Sequence, residues 1–468
     1  MSDAPPVISA PAALAHLGDE LRASGYDQPA VLERLGTDST LMIPGRMSVE
    51  RRRLGDDRLS DLIRLFLLHE PVSAATVGAE GIEFLATDGD TVHSSVAIQP
   101  WRGVLVAHDW AGRAMAEEHV VGASGVTGLL ADLTVTRRVG DALDLCTGSG
   151  ALALLAVRHA ERVVGVDLNP RALRLAEWTL ALNGASGIEL ELGDLRDACA
   201  GDRFDLVTAN PPFVVSPDRR WLFRDRGADV SRLVVERLPE LLRPGGFGHV
   251  LCQWPLGPGE SWDERPRSWL AGAACDAWIL RLPTEQNVLD YAANWNATLR
   301  DADPGEFERT VDRWVEHFGE QGVDRVVLGA IVVRRRDGQC WIRTDEATGW
   351  PSEPVGEHVE RLFEGQTLVA SLPEERALLD LPLAPVECLR LDETRAYGAG
   401  GFRLVAAQAR SALPVRPKLN RAALDLLSGL DGATPLRELP GAEEALPAIR
   451  DLVALGLVTA TAGNATNP

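Results

Sequence analysis

Apolar residues recur at helical spacing between Ala10 and Leu35, at Leu14, Leu17 and Leu21, with Gly25 as a break, and this predicts an amphipathic helical region. A second amphipathic helix is expected from Leu59 to Leu68, just past the basic triplet Arg51–Arg53. From about Val77 to His108 the pattern shortens to GIEFLAT, TVHSSVAIQPW and GVLVAHD, runs broken by Gly or Asp-Gly that predict a hairpin or small sheet. Residues 8–110 thus read as an N-terminal helical domain with a β-hairpin.

From Ala142 short apolar strands alternate with helices. ALDLCTG, RVVGVDL, IELELGD and FDLVTAN read as strands, with helices at Ala151–His159 and Pro170–Asn183 between the first three. Strands separated by helices of this length imply βαβ units and a parallel, doubly wound sheet. A helix at Val230–Leu242, the turn RPGG and the strand FGHVLCQW follow. A Trp-rich helix near Ser261–Ala271 and the strands AWILRL and VDRVVLGAIVV complete a domain over 111–338, with a mainly helical insertion at 284–322. Residues 339–468 form a third unit. Within it, 415–460 is compatible with a winged-helix-like module.

Composition narrows the classes. A chain of 468 residues is too long for one ordinary core, and 45 % hydrophobic with 25 % charged residues is average globular usage. The formal charge of -21 repels polyanions unless basic residues gather on one face, so nucleic acid is not the default partner. The six cysteines are scattered, and His108, His119 and His249 stand alone, so no metal site is expected. The start MSDAPPVISA has no basic region followed by an apolar run, and no long apolar span occurs. A cytoplasmic protein with reduced thiols is the expectation.

The strongest local signal is Asp144-Leu-Cys-Thr147-Gly148-Ser-Gly150, a glycine-rich turn directly after a strand and before a helix. Such a turn lets backbone approach a bound nucleoside. Asp167, followed by Leu168, ends the next strand 19 positions after Gly148, where a carboxylate can accept from both ribose hydroxyls. The NAD fingerprint G-x-G-x-x-G is not met, because its third glycine falls on Leu152 or Ala153. Asp144 also points away from NAD, since a carboxylate there can pair with an α-ammonium, which S-adenosylmethionine (SAM) carries. At the end of the third strand, Asp194 can accept from an adenine amino group and Leu195 can flank the ring.

The fourth strand ends in Asn210-Pro211-Pro212-Phe213. Two prolines fix the turn and remove two N–H donors, leaving the Asn210 oxygen and the Pro211 carbonyl as acceptors for a planar –NH2 group. Hydrogen bonds from that group favour positive charge on nitrogen as it attacks a sulfonium methyl, and Phe213 can stack on the planar acceptor.

On these motifs the stretch from about 120 to 255 resembles class I, Rossmann-like SAM-dependent methyltransferases of the small methyltransferase domain group, which includes release-factor glutamine and rRNA guanine-N2 methyltransferases. The resemblance implies an α/β sheet of strand order 3-2-1-4-5-7-6 with VDRVVLGAIVV antiparallel. It also implies contacts to the methionine moiety from GASGVT, residues 122–127, including Thr127. Ala151 stands where the family often has a third glycine, and Phe213 where glutamine-directed members more often have Tyr. These departures point toward an exocyclic base amine in RNA as the acceptor, with a protein glutamine or a small amine or hydroxyl compound as the alternative. The Trp254–Trp295 cluster reads as core rather than base platform. Arg51–Arg53 and Arg334–Arg336 are candidate phosphate contacts.

Overall fold

The computed structural model describes residues 11–42, 44–110, 117–194, 199, 201–217, 224–225, 229–351, 353–387, 389–398, 401–411 and 413–461. Leu195 and Cys388 lie outside them.

The central sheet consists of β1 (Val139–Leu145), β2 (Ala160–Asp167), β3 (Ile188–Leu192), β4 (Phe204–Ala209), β5 (Leu242–Leu256), β6 (Cys275–Arg281), β7 (Arg325–Arg335) and β8 (Ile342–Glu346), with the two-residue strand Gln286–Asn287 added alongside β7. Their spatial order is 3-2-1-4-5-7-6-8. Every pairing in it is parallel except those of β7, which runs antiparallel between β5 and β6. The first seven strands therefore have the order expected for a Rossmann-like methyltransferase sheet, and β8 extends its edge. The interior strands are apolar on both faces because both are covered. On one face Leu143, Leu145, Val164, Val166 and Val207 share a core with Val234, Val235 and Leu238 of helix Asp229–Leu241. On the other, Ala142, Val163, Leu206 and Leu251 cluster with Leu129, Leu130 and Leu133 of helix Gly125–Leu133.

The N-terminal region forms a third core. Leu14, Leu17 and Leu21 of helix Pro11–Ala23 pack with Ile98 and Leu105 of the hairpin Ala97–Trp101/Val104–His108 and with Leu175, Trp178 and Leu182 of helix Pro170–Leu182. Polar ties reinforce this seam. The buried Asp109 carboxylate takes Arg171 Nε at 2.8 and 3.0 Å together with the Val120 N–H at 3.1 Å. Asn183 brackets Leu105 through two backbone bonds. Hairpin and helix are thus fixed from Leu105 to Asp109, which brings the far end of the hairpin beside the carboxyl end of β2.

The insertion folds as helices Val288–Trp295, Ala297–Ala302 and Pro304–Glu320, and helix Ala297–Ala302 touches helix Pro44–Arg51. Of the Trp cluster, Trp254, Trp269 and Trp278 are buried core residues and Trp295 is partly exposed. Arg334–Arg336 is tied into the protein rather than left as a free basic patch. Arg334 bonds Asp276 (2.6 Å) and Thr367 (2.6 Å), Arg335 bonds the Pro239 carbonyl (2.8 Å), and Arg336 pairs with Asp276. Arg334 and Arg336 tie helix Gly356–Ser371 to the sheet through Thr367 and the fully buried Asp276, which requires cationic partners, while Arg335 holds helix Asp229–Leu241. Arg51 is engaged by Glu70. Beyond that helix lie the hairpin Arg390–Gly398/Gly401–Arg410, helices Arg421–Leu427 and Ala442–Ala454, and strand Val458–Ala460, which pairs antiparallel with Leu383–Pro385. Among the described residues no helix is long and apolar enough to cross a membrane.

Candidate active site

In a parallel sheet the carboxyl ends of the strands form the natural ligand crevice, and the candidate residues collect there. After β1 the chain turns through three left-handed positions in alternation, Cys146 (φ 56), Gly148 (φ 54) and Gly150 (φ 77), before helix Ala151–Ala156 begins. The glycine pattern therefore falls on 146, 148 and 150, and Ala151 is an ordinary first helical residue. The departure from the family pattern is Cys146, a non-glycine residue held in a glycine conformation.

Asp144 braces this turn. Its Oδ2 accepts the Thr147 hydroxyl (2.7 Å) and the Ala153 N–H (3.1 Å), and its Oδ1 accepts the Thr208 hydroxyl of β4 (2.8 Å). The side chain is buried, and burial pushes its pKa up to about 6 despite these three bonds. Both oxygens face protein donors, which gives Asp144 a role in bracing the turn. The turn is held closed against β4.

Asp167 ends β2 with its carboxylate oriented by backbone. Oδ2 accepts the Gly148 N–H (2.8 Å) and Oδ1 the Asn169 N–H (2.9 Å). Burial raises its pKa while those bonds oppose it. Each oxygen retains a lone pair, which leaves the group competent to accept from a diol. Leu168 beside it is exposed, and Asp194 after β3 is half-buried.

At the end of β4, Asn210 Nδ2 donates to Thr127 Oγ1 (3.3 Å), and Asn210 Oδ1 is buried without a hydrogen-bond partner. Thr127 is itself fixed, because it forms a capping box with Ser124 at the start of helix Gly125–Leu133, with its Oγ1 accepting the Ser124 N–H (3.2 Å). One edge of the Asn210 amide is anchored and the other is an acceptor without a donor. Pro211 is buried, Pro212 half-buried, and Phe213 nearly sealed within an apolar cluster that also contains Val214, Val215 and Tyr291. That burial gives the Phe213 ring a packing role first.

Sequence reasoning missed two groups of positioning residues. Tyr291, from the insertion, accepts the Val215 N–H (2.9 Å) and donates to Gln253 Oε1 (2.6 Å), tying the loop after Phe213 to β5. In the hairpin, the Gln99 amide donates to the Ala123 carbonyl (2.9 Å) and accepts the Ala123 N–H (2.9 Å). His108 lies against Gly122, where a Cβ would come within 2.6 Å of its ring. Its Nδ1 faces the Asp109 carbonyl at 2.8 Å, and burial lowers its pKa to about 4, which keeps it neutral. The N-terminal hairpin thereby sets the path of GASGVT, and with it Thr127 and Asn210. A lone Gln in an apolar strand carries no periodic signal that would have revealed this.

The strand order defines a class I methyltransferase fold. Residues 123–246 match the methyltransferase small domain family. The chain is similar to ribosomal protein uL3 glutamine methyltransferase of Bradyrhizobium diazoefficiens, at 32 % identity over 188 residues, 36 % of this chain and 56 % of that protein. It is also similar to ribosomal RNA small subunit methyltransferase C of Alcanivorax borkumensis, at 36 % identity over 107 residues, 23 % of this chain and 30 % of that protein. Among solved structures, ribosomal protein L11 methylase of Lactobacillus delbrueckii subsp. bulgaricus aligns with a TM-score of 0.27 and 17 % identity, over 46 % of this chain and 82 % of that one. The chain spans about half the length, or less, of the curated relatives it matches.

Proposed function

We propose that the chain is a SAM-dependent N-methyltransferase acting on a planar amino or amide nitrogen. The observation that carries this reading is the buried, unpartnered Oδ1 of Asn210, whose opposite edge is anchored by Thr127. A buried acceptor without a donor costs about 1–3 kcal/mol, and an incoming N–H removes that cost.

The residues present suit the cofactor. The left-handed turn at 146–150 exposes backbone beside Asp167, and Asp167 keeps lone pairs for a ribose diol. Thr147, Gly148 and Gly150 line that turn, with Leu168, Asp194 and Leu195 assigned to the adenine side and Thr127 to the methionine side. SAM supplies an electrophilic methyl on sulfur. Asn210 Oδ1 and the Pro211 carbonyl accept the two N–H bonds of the acceptor and hold its lone pair toward that methyl. Positive charge growing on nitrogen strengthens both bonds, so they stabilise the transition state more than the ground state. As the N–C bond forms the methyl C–S bond would break, its electron pair staying on sulfur as a neutral thioether, and the nitrogen is then acidic enough to release its proton to water without a strong base.

A protein glutamine amide and an exocyclic base amine in RNA both present this group. Local charge favours the amide. The insertion whose Tyr291 holds the acceptor loop carries nine acidic and three basic residues over 284–322, which opposes a phosphate backbone and suits a basic protein. The similarity to an rRNA methyltransferase supports the RNA reading as second. The test incubates the protein with methyl-labelled SAM and an extract split into protein and RNA. Label in glutamine of the protein fraction is expected; label confined to RNA nucleosides transfers the assignment to the base amine, and label on oxygen overturns both.

A further inference from the structure

A cavity of about 420 Å3 lies away from the glycine turn, where three parts of the chain meet. Asp38, Trp101 and Arg102 come from the N-terminal region, Ser124 and Asp132 from the start and end of helix Gly125–Leu133, and Trp350 from the segment beyond β8. The volume is in the range of small-ligand sites. Asp167, Asn210 and the glycine turn do not line it, although Ala123, Ser124 and Gly125 of GASGVT do.

Most of its polar wall is already satisfied. Arg102 makes a two-pronged ion pair with Asp132, at 2.7 Å for each nitrogen, and also donates to the Gly128 carbonyl (3.2 Å). That pair is neutral, and three of the five guanidinium N–H groups are committed. Asp38 is different. Its exposed carboxylate has no hydrogen bond or ion pair among the described residues, so it contributes an uncompensated negative charge to the rim. Trp350 is 45 % exposed, an unusual position for a large indole. Five residues further on, the Val355 N–H bonds the Asp132 carbonyl at 2.7 Å. Trp101, with the Arg102 guanidinium 5.5 Å from its ring centre, forms the closed side.

An open aromatic face and an unpaired carboxylate on the wall of one cleft are complementary to an organic cation. An anion meets the reverse, because among the described residues the one guanidinium in the wall is paired with Asp132 and the chain as a whole carries -21. We propose that this cavity binds an alkylammonium or guanidinium group against the Trp350 ring and the Asp38 carboxylate. Two sources carry that chemistry, a lysine or arginine side chain of a protein and a free polyamine. The inference does not depend on the methyltransferase reading.

The test titrates the full chain, by calorimetry and tryptophan fluorescence, with a short arginine-containing peptide, its citrulline counterpart, and spermidine. The cations bind and the neutral citrulline peptide does not. Asp38→Asn and Trp350→Leu each weaken cation binding by about tenfold or more, as expected for loss of one charged or aromatic partner in a partly desolvated site. SAM affinity, measured in parallel, stays unchanged in both variants and reports that they are folded. Tighter binding of the peptide than of spermidine assigns the site to a protein side chain, and the reverse assigns it to a polyamine. Equal binding of the citrulline peptide, undiminished binding in Asp38→Asn, or no binding of either cation overturns the proposal. A wild-type chain that binds the cations without binding SAM removes the proposed function and leaves this site standing.

Discussion

Replacing Asp144 by Asn isolates the electrostatic cost of the brace beneath the glycine turn. The Asp144 carboxyl is buried, and burial moves its pKa from 3.8 to about 6. At about 1.36 kcal/mol per tenfold change in proton affinity, ionising it in the folded protein costs roughly 3 kcal/mol. The native carboxyl holds its proton to higher pH than the unfolded chain does. Stability from this group is therefore full below pH 3.8 and falls as pH rises toward 6. Asparagine can keep all three contacts. Its oxygen accepts from Thr147 and the Ala153 N–H, and its amide N–H donates to Thr208, whose hydroxyl rotates to accept. Urea denaturation of both proteins from pH 4 to pH 7.5 is the assay. The stability of Asp144→Asn relative to wild type should rise by roughly 3 kcal/mol across that range. A difference that stays flat with pH would show that Asp144 titrates normally and that the brace carries no burial penalty.

Cys146 occupies a left-handed conformation that favours glycine, so Cys146→Gly should raise stability by about 1 kcal/mol, read as an increase in Tm, whereas Cys146→Val should lower it. A Cys146→Gly variant less stable than wild type would mean that the thiol's packing outweighs the backbone strain. Gln99→Ala leaves the N–H and C=O of Ala123 without partners in a buried place; a loss of about 2 kcal/mol is expected, with weaker SAM binding because GASGVT loosens. Unchanged SAM affinity in that variant would detach the hairpin from the cofactor site.

Much of the sheet was legible because its strands are apolar runs of parallel-sheet length, punctuated by helices and capped by Gly, Asp or Asn-Pro at their carboxyl ends. β7 could be placed between β5 and β6 only through the family resemblance, since periodicity carries no strand order. The glycine turn, Asp167 and Asn210 were legible for a local reason, as each stands at the end of a strand. What escaped were contacts made across the chain. The oxygens of Asp144 are turned inward partly by Thr208, 64 residues away, and Tyr291 reaches Val215 across 76 residues. Cys146 was overlooked because the alternation of left-handed positions shows only in the backbone angles, and counting glycines alone shifted the pattern onto Ala151. Arg334–Arg336 reads as a basic patch because Asp276, the partner of Arg334 and Arg336, lies on the neighbouring strand β6.

The central claim concerns Asn210, and Asn210→Ala tests it most directly. Removing the orphan acceptor leaves the glycine turn and Asp167 untouched, so calorimetric affinity for SAM should stay within about threefold of wild type, while transfer of labelled methyl to the acceptor falls by about 10²–10³-fold. Turnover at the wild-type rate with SAM binding intact would contradict the account, because nitrogen would then be reaching the methyl without the amide that is supposed to hold it.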